Sequence, residues 1–121
     1  MQEDVKKALS SDRVIDITTI GRKSGDPSRK EIWFHNVEGD IYITGTPGAR
    51  DWYANLIENP VFTFHLKEST RADLAATARP VTDPGEKREV LEKILTKLER
   101  SEEIDNWVSD SPLVEVDFPE S

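Results

Sequence analysis

"RVIDITTIGRKSGDPSRKEIWFHNVEGDIYITG", residues 13–45, alternates with period two, breaks at a turn, and alternates again. Ile15, Ile17 and Thr19 fall on one face of the first run, and Val14, Asp16, Thr18 and Ile20 on the other, the pattern of a half-buried strand. The segment "GRKSGDP" carries two glycines and a proline and predicts a chain reversal. Beyond it, "RKEIWFHNVEGDIYITG" predicts two strands joined by a hairpin turn at Glu38-Gly39-Asp40, which makes three antiparallel strands.

The remainder extends that sheet. In "GARDWYANLIENP", Trp52 and Leu56 stand four apart with Tyr53 beside Ile57, and Asn59-Pro60 ends what reads as one short helix. "VFTFHLK" sets Phe62, Phe64 and Leu66 against Val61, Thr63 and His65, and "RADLAATARPV" is its expected partner across Glu68-Ser69-Thr70. "TDPGEKREVLEKILTKLERSEE" has Asp83 as N-cap, Pro84 at the first helical position and Glu86 three residues after the cap. Val90, Leu91, Ile94, Leu95 and Leu98 follow as one apolar stripe. "PLVEVDF" reads as a last strand. Val5, Ala8 and Leu9 predict one or two helical turns at the start. This order predicts an α+β fold of about six mainly antiparallel strands on a small barrel, with a short helix after strand three and a longer one after strand five.

At 121 residues the chain reads as a single domain over 1–121, and without cysteine it offers neither disulfide nor thiolate chemistry. The polar N-terminus and the lack of about 18 consecutive apolar residues predict a cytoplasmic protein without a stable membrane anchor. A formal net charge of -8 argues against nucleic acid as a partner, because phosphate backbones need a basic surface. His35 and His65 lack zinc-ligand spacing and read as ordinary strand residues, so no metal is expected. There is no G-x-S-x-G elbow, P-loop or G-x-G-x-x-G, and Glu102-Glu103 sits in a polar stretch unsuited to a glycosidase pair.

Within this acidic chain, Arg22, Lys23, Arg29 and Lys30 place four cations in nine residues. Arg22, Lys23 and Ser24 lie between Gly21 and Gly25, where a tight turn can aim backbone N–H groups and side chains at a phosphate. A hairpin turn with solvated basic residues accounts for the same letters.

Three spaced motifs, "ITTIGRKSGDPSRKEIWF", "IYITGTPGARDWYANLIENPVFTFHL" and "ARPVTDPGEKREVL", resemble the deazaflavin (coenzyme F-420)-dependent nitroreductase and quinone reductase family. That family belongs to the flavin/deazaflavin oxidoreductases with the split β-barrel of pyridoxamine-phosphate oxidases. The resemblance runs from Val14 to Ile94 and is most specific at the turn and at Trp52, Tyr53, Asn55, Leu56, Asn59 and Pro60. It implies a split barrel, a homodimer, and an 8-hydroxy-5-deazaflavin coenzyme, or FMN in relatives. The cofactor's phosphate end would meet Arg22, Lys23 and Ser24, with Arg29 close after the turn, and the loop "TGTPGARD" would bring Thr44, Thr46, Gly48, Ala49 and Arg50 to it. Trp52 and Tyr53 are either core or cofactor-adjacent aromatic surface.

The chain departs from the family pattern at Thr46-Pro47-Gly48, where relatives commonly carry a lysine, and at Ser28, which precedes Arg29 where relatives commonly place an arginine. The C-terminal segment "EEIDNWVSDSPLVEVDFPES" lacks the tyrosines that cover substrate in nitroreductase-type relatives. The implied reaction is hydride transfer from the reduced deazaflavin to a small hydrophobic acceptor: a quinone, an enone or a nitro compound. Tyr42, Tyr53, His35 or water would supply the proton, and no catalytic residue is assigned. Two other readings fit the same residues: an FMN-binding split-barrel reductase, and a non-catalytic module holding a flavin or tetrapyrrole.

Overall fold

The computed structural model describes residues 1–119. Its elements are α1 (Glu3–Ser11), β1 (Val14–Ile20), β2 (Pro27–Trp33), β3 (His35–Val37), β4 (Asp40–Thr44), α2 (Asp51–Glu58), β5 (Val61–Leu66) and β6 (Ala72–Pro80). Then come α3 (Pro84–Lys97), a 3-10 turn at Ser101–Glu103, α4 (Ile104–Asp110) and β7 (Leu113–Asp117). The strands form one antiparallel sheet in the order β2-β1-β5-β6-β7-β4-β3.

The expected α+β split barrel is present, and the strand after the turn divides at Phe34. Residues before it pair with β1, from Ile20↔Pro27 to Val14↔Trp33; residues after it pair with β4, beginning at His35↔Tyr42. Phe34 itself pairs with neither. Its N–H donates to the Arg13 carbonyl at 3.0 Å and its ring is buried. One continuous segment therefore supplies both edges of the sheet, which curls so that β2 and β3 join at Phe34. The division raises the strand number to seven and leaves the order of elements as expected.

Phe34 turns inward because the barrel holds an aromatic pocket for it. Its ring meets Phe64 edge-on at 5.3 Å, and Phe64 meets Phe118 the same way at 5.1 Å. Ile15, Ile17, Ile41, Ile43, Val114 and Val116 complete this interior, each from the alternation of its own strand. β4 is buried on both faces because a second cluster covers its outside, with Tyr42, Val37 and Leu113 under Val90, Leu91, Ile94 and Leu95 of α3 and Trp107 of α4.

The N-cap of α3 forms as read, with the Asp83 carboxylate accepting from Glu86 N–H at 2.9 Å. The helix ends at Lys97, earlier than its polar continuation suggests, and Glu99 adopts φ 59°. α4 is an element beyond those the sequence pattern predicts, although Ile104, Trp107 and Val108 stand at helical spacing; the Arg100 guanidinium lies 5.4 Å from the Trp107 ring centre. Among the described residues no helix is long and apolar enough to cross a membrane.

Two measurements check this account. Phe34→Ala should lower the free energy of unfolding by about 3–5 kcal/mol in a urea titration, because it empties the aromatic pocket and releases the sheet edges together. His35, on β3, is held near pKa 4 instead of 6.5, chiefly by burial and further by the Lys97 and Arg13 charges. Between those values the unfolded chain takes up a proton that the folded one refuses, so stability falls as pH drops through that window. His35→Gln should remove up to about 3 kcal/mol of the loss seen between pH 7 and 4.

Candidate functional site

The reversal between β1 and β2 is closed by its own backbone, with Gly21 N–H donating to Asp26 carbonyl at 2.8 Å and Gly25 N–H to Gly21 carbonyl at 2.9 Å. Asp26 N–H donates to Ser24 Oγ at 3.1 Å. A Cβ on residue 21 would stand 2.6 Å from that oxygen, so glycine is what lets the serine sit there. Lys23 is exposed and makes no ion pair among the described residues. Arg22 is turned inward: its N–H and Nη1 donate to Asn55 Oδ1 at 3.2 and 2.9 Å, and Nη2 lies 3.4 Å from Asp51.

Asn55 fastens the turn to α2. It is buried, it accepts both Arg22 bonds, and its Nδ2 donates to Thr19 Oγ1 at 3.3 Å on the inward face of β1. α2 has no side-chain cap at its N-terminus, and its first turn divides two clefts. One, of about 290 Å³, lies against β1 and β2 and is lined by Ser28, Arg29, Lys30, Asp51, Trp52 and Asn55 among others. The other, of about 610 Å³, runs from Pro47, Gly48, Ala49, Arg50 and Tyr53 across to Lys87 of α3 and to Asp110, Ser111 and Pro112.

The structure therefore distributes the expected site residues over two clefts and the turn. Gly48, Ala49, Arg50 and Tyr53 share the larger cleft, while Arg29 and Trp52 border the smaller. Gly48 adopts φ +133°, which bends the loop against the Arg50 guanidinium. Arg50 is absorbed by its own loop, with Nη2 donating to the Thr46 carbonyl at 2.9 Å and to Thr46 Oγ1 at 2.7 Å. Thr44 is buried and its Oγ1 donates to the Pro112 carbonyl at 2.6 Å, so it ties β4 to the cleft's far wall. Arg29 leans to the outer sheet face, where its Nε lies 3.0 Å from Asp16 and Asp16 also accepts from Lys67 at 2.7 Å. The Lys67 and Arg29 bonds hold the Asp16 carboxyl below its ordinary range. Trp52 and Tyr53 part company: the first is 4% exposed in the core, and the second, edge-on to it at 5.9 Å, is half-buried at the cleft.

Of the expected proton donors, only Tyr53 lines one of these two clefts. Tyr42 lies under α3 with its hydroxyl 3.4 Å from Glu115, and its pKa is pushed up to about 12 by burial and by that carboxylate. His35 is neutral at pH 7 for the reason given above. His65 is engaged on both nitrogens, 2.7 Å from Thr18 Oγ1 and 2.7 Å from Asp73 Oδ1.

Sequence reading missed Asn55 as a site residue, and Lys87 and Ser111 altogether. Asn55 stood inside a recognised motif; Lys87 and Ser111 carry no local signal, because only packing brings α3 and the end of α4 to the Pro47–Arg50 loop. Lys87 enters the cleft beside the loop that lacks the lysine common in the resembling family. Asn55→Ala should cost about 1–3 kcal/mol in unfolding free energy, since it strands Arg22 and Thr19 groups. Amide exchange at residues 21–25 should accelerate with it.

The model of the F420H(2)-dependent quinone reductase family matches residues 2–116. Solved structures share the fold, among them the following three. A conserved hypothetical protein of Mycobacterium tuberculosis superposes with TM-score 0.75 at 19% identity, covering 98% of this chain and 81% of that one. A putative pyridoxamine 5'-phosphate oxidase of Listeria innocua gives 0.71 at 12% identity, covering 97% and 92%. An F420-H2 dependent reductase gives 0.66 at 18% identity, covering 88% and 95%. With the family matched from α1 through nearly all of β7, the chain belongs to the F420H(2)-dependent quinone reductase family and is an oxidoreductase whose coenzyme is reduced F420.

Proposed function

We propose that the protein works in the cytoplasm as a homodimer, passing a hydride from reduced F420 to a small hydrophobic acceptor of the quinone, enone or nitro class. The observation that carries this reading is the pairing of an uncommitted cation at the turn with an open cleft on the other side of α2. Lys23 is free to meet a phosphate, Ser24 keeps its hydroxyl proton to donate, and the uncapped α2 N-terminus favours negative charge between the two clefts. These residues fit an elongated anionic coenzyme.

Bound in its reduced form, the coenzyme supplies the hydride. The chain's own residues bind and orient. Asn55 holds the turn so that Lys23 and Ser24 face outward, Arg22 stays beside it as a fixed positive charge, and Lys30 adds a cation on the wall of the smaller cleft. Pro47, Ala49, Tyr53 and Pro112 give the larger cleft flat apolar walls that exclude water from a planar acceptor. The homodimer is supported by β2, an edge strand exposed along nearly its whole length, with Trp33 48% exposed at its end.

Fluorescence titration with oxidised F420 and, separately, FMN tests the reading. F420 should bind, and Lys23→Ala should weaken it about tenfold through one lost charge-assisted contact. Arg22→Ala should weaken binding together with thermal stability, because Arg22 also braces the turn. Binding of FMN alone would favour a flavin reductase, and F420 binding without turnover across quinones, enones and nitroarenes would favour a carrier. Sedimentation velocity should return a dimer.

A further inference from the structure

Among the described residues, Ser111 Oγ is the buried side-chain polar atom without a hydrogen-bond partner. Ser111 is 3% exposed and lines the larger cleft. Its backbone N–H is already committed, donating to the Trp107 carbonyl at 2.9 Å to close α4. A buried hydroxyl without a protein partner is unfavourable, and this one stands at a cleft where a ligand can satisfy it.

Lys87 enters the same cleft from α3. The other cations of that helix are engaged: Arg88 with Asp105, Lys93 with Glu38, and Lys97 with the Asn36 carbonyl. Lys87 is half-buried and has no ion-pair partner among the described residues. The walls beside it are Pro47, Ala49, Tyr53 and Pro112, which suit a flat ring with one polar edge.

We propose that Lys87 and Ser111 form an acceptor subsite that holds the carbonyl oxygen of a quinone or enone, with Lys87 donating the proton that this oxygen takes up on reduction. The proposal rests on the F420-dependent reduction above, which supplies the reductant. The hydride forms a new C–H bond in the conjugated acceptor, the displaced electron pair settles on oxygen, and a proton from Lys87 Nζ neutralises it. The amine left behind recovers its proton from water. The acceptor gains one hydride, which carries the two electrons, and one proton, and the coenzyme is oxidised by the loss of that hydride.

The electrostatics suit a donor. Burial lowers the Lys87 pKa from its ordinary value, opposed by the Asp110 charge at the end of α4. Arg50 and Tyr53 face the cleft from the head of α2; Asp83, the N-cap of α3, lies one turn before Lys87, and Glu86, directly before it, is engaged by Arg79. An ammonium of lowered pKa releases its proton more readily, so turnover should fall as pH rises through that value.

The test uses the full chain and an aryl ketone, 1-tetralone, as probe, with lysine side chains labelled for NMR. In coenzyme-free protein, tetralone should shift the Lys87 ε-methylene signal. Its Kd should rise about fivefold to tenfold in Ser111→Ala and Lys87→Gln and stay near wild type in Lys87→Arg. Ser111→Ala should leave the melting temperature unchanged, which separates a ligand-holding hydroxyl from a structural one. With menadione and reduced F420, kcat should drop on the order of 100-fold in both Lys87 variants, and the alkaline limb of the wild-type pH profile should disappear. Coenzyme Kd should not move. If tetralone leaves the Lys87 signal untouched while wild type and Lys87→Gln reduce menadione with the same pH profile, the subsite is overturned and the F420 reading stands. If tetralone shifts Lys87 but no F420 binds, the F420 reading fails and the subsite stands as a carbonyl-binding site.

Discussion

The handover of the chain at Phe34 is the constraint on which the rest depends. A strand that continued past Trp33 on β1 would leave β4 without its outer partner and the sheet open at both edges. Burying Phe34 against Phe64 and Phe118 breaks the pairing at one residue and sends the chain to the opposite edge. With β3 on its outer side, β4 pairs on its inner side with β7, Thr44 opposite Leu113, and Thr44 and Pro112 meet there. Without that meeting the larger cleft would have one wall.

α2 is the second organising element. It is short and weakly stabilised by its own sequence, and its position is set by burial of Trp52 and Leu56 and by the Asn55 bonds to Arg22 and Thr19. A buried amide that satisfies a guanidinium, a backbone N–H and a strand hydroxyl together is specific about geometry in a way that apolar packing is not. The turn with the uncommitted lysine is thereby fixed relative to both clefts.

Charge is distributed with the same economy. In a chain of net charge -8, cations on the sheet and on α3 are drawn into pairs such as Arg79 with Glu86 and Glu115. Lys23, Lys30 and Lys87 make no ion pair among the described residues, and all three lie at the turn or at a cleft around α2. These three cations keep their charge unneutralised by a direct ion pair, which is how an acidic protein can receive an anionic coenzyme.

The sequence alone determined the strands of the sheet, the capped helix α3 and the basic turn, because period-two alternation, an N-cap followed by proline, and paired glycines are local signals that tertiary contacts had no cause to override. It also carried the family motifs around Arg22 and Trp52. The division at Phe34, the inward turn of Arg22 and the removal of Tyr42 and His35 from the site were decided by the tertiary structure. So was the arrival of Lys87 and Ser111 in one cleft. Each depends on which residue lies across the barrel or beneath a helix, and those neighbours are dozens of positions away along the chain.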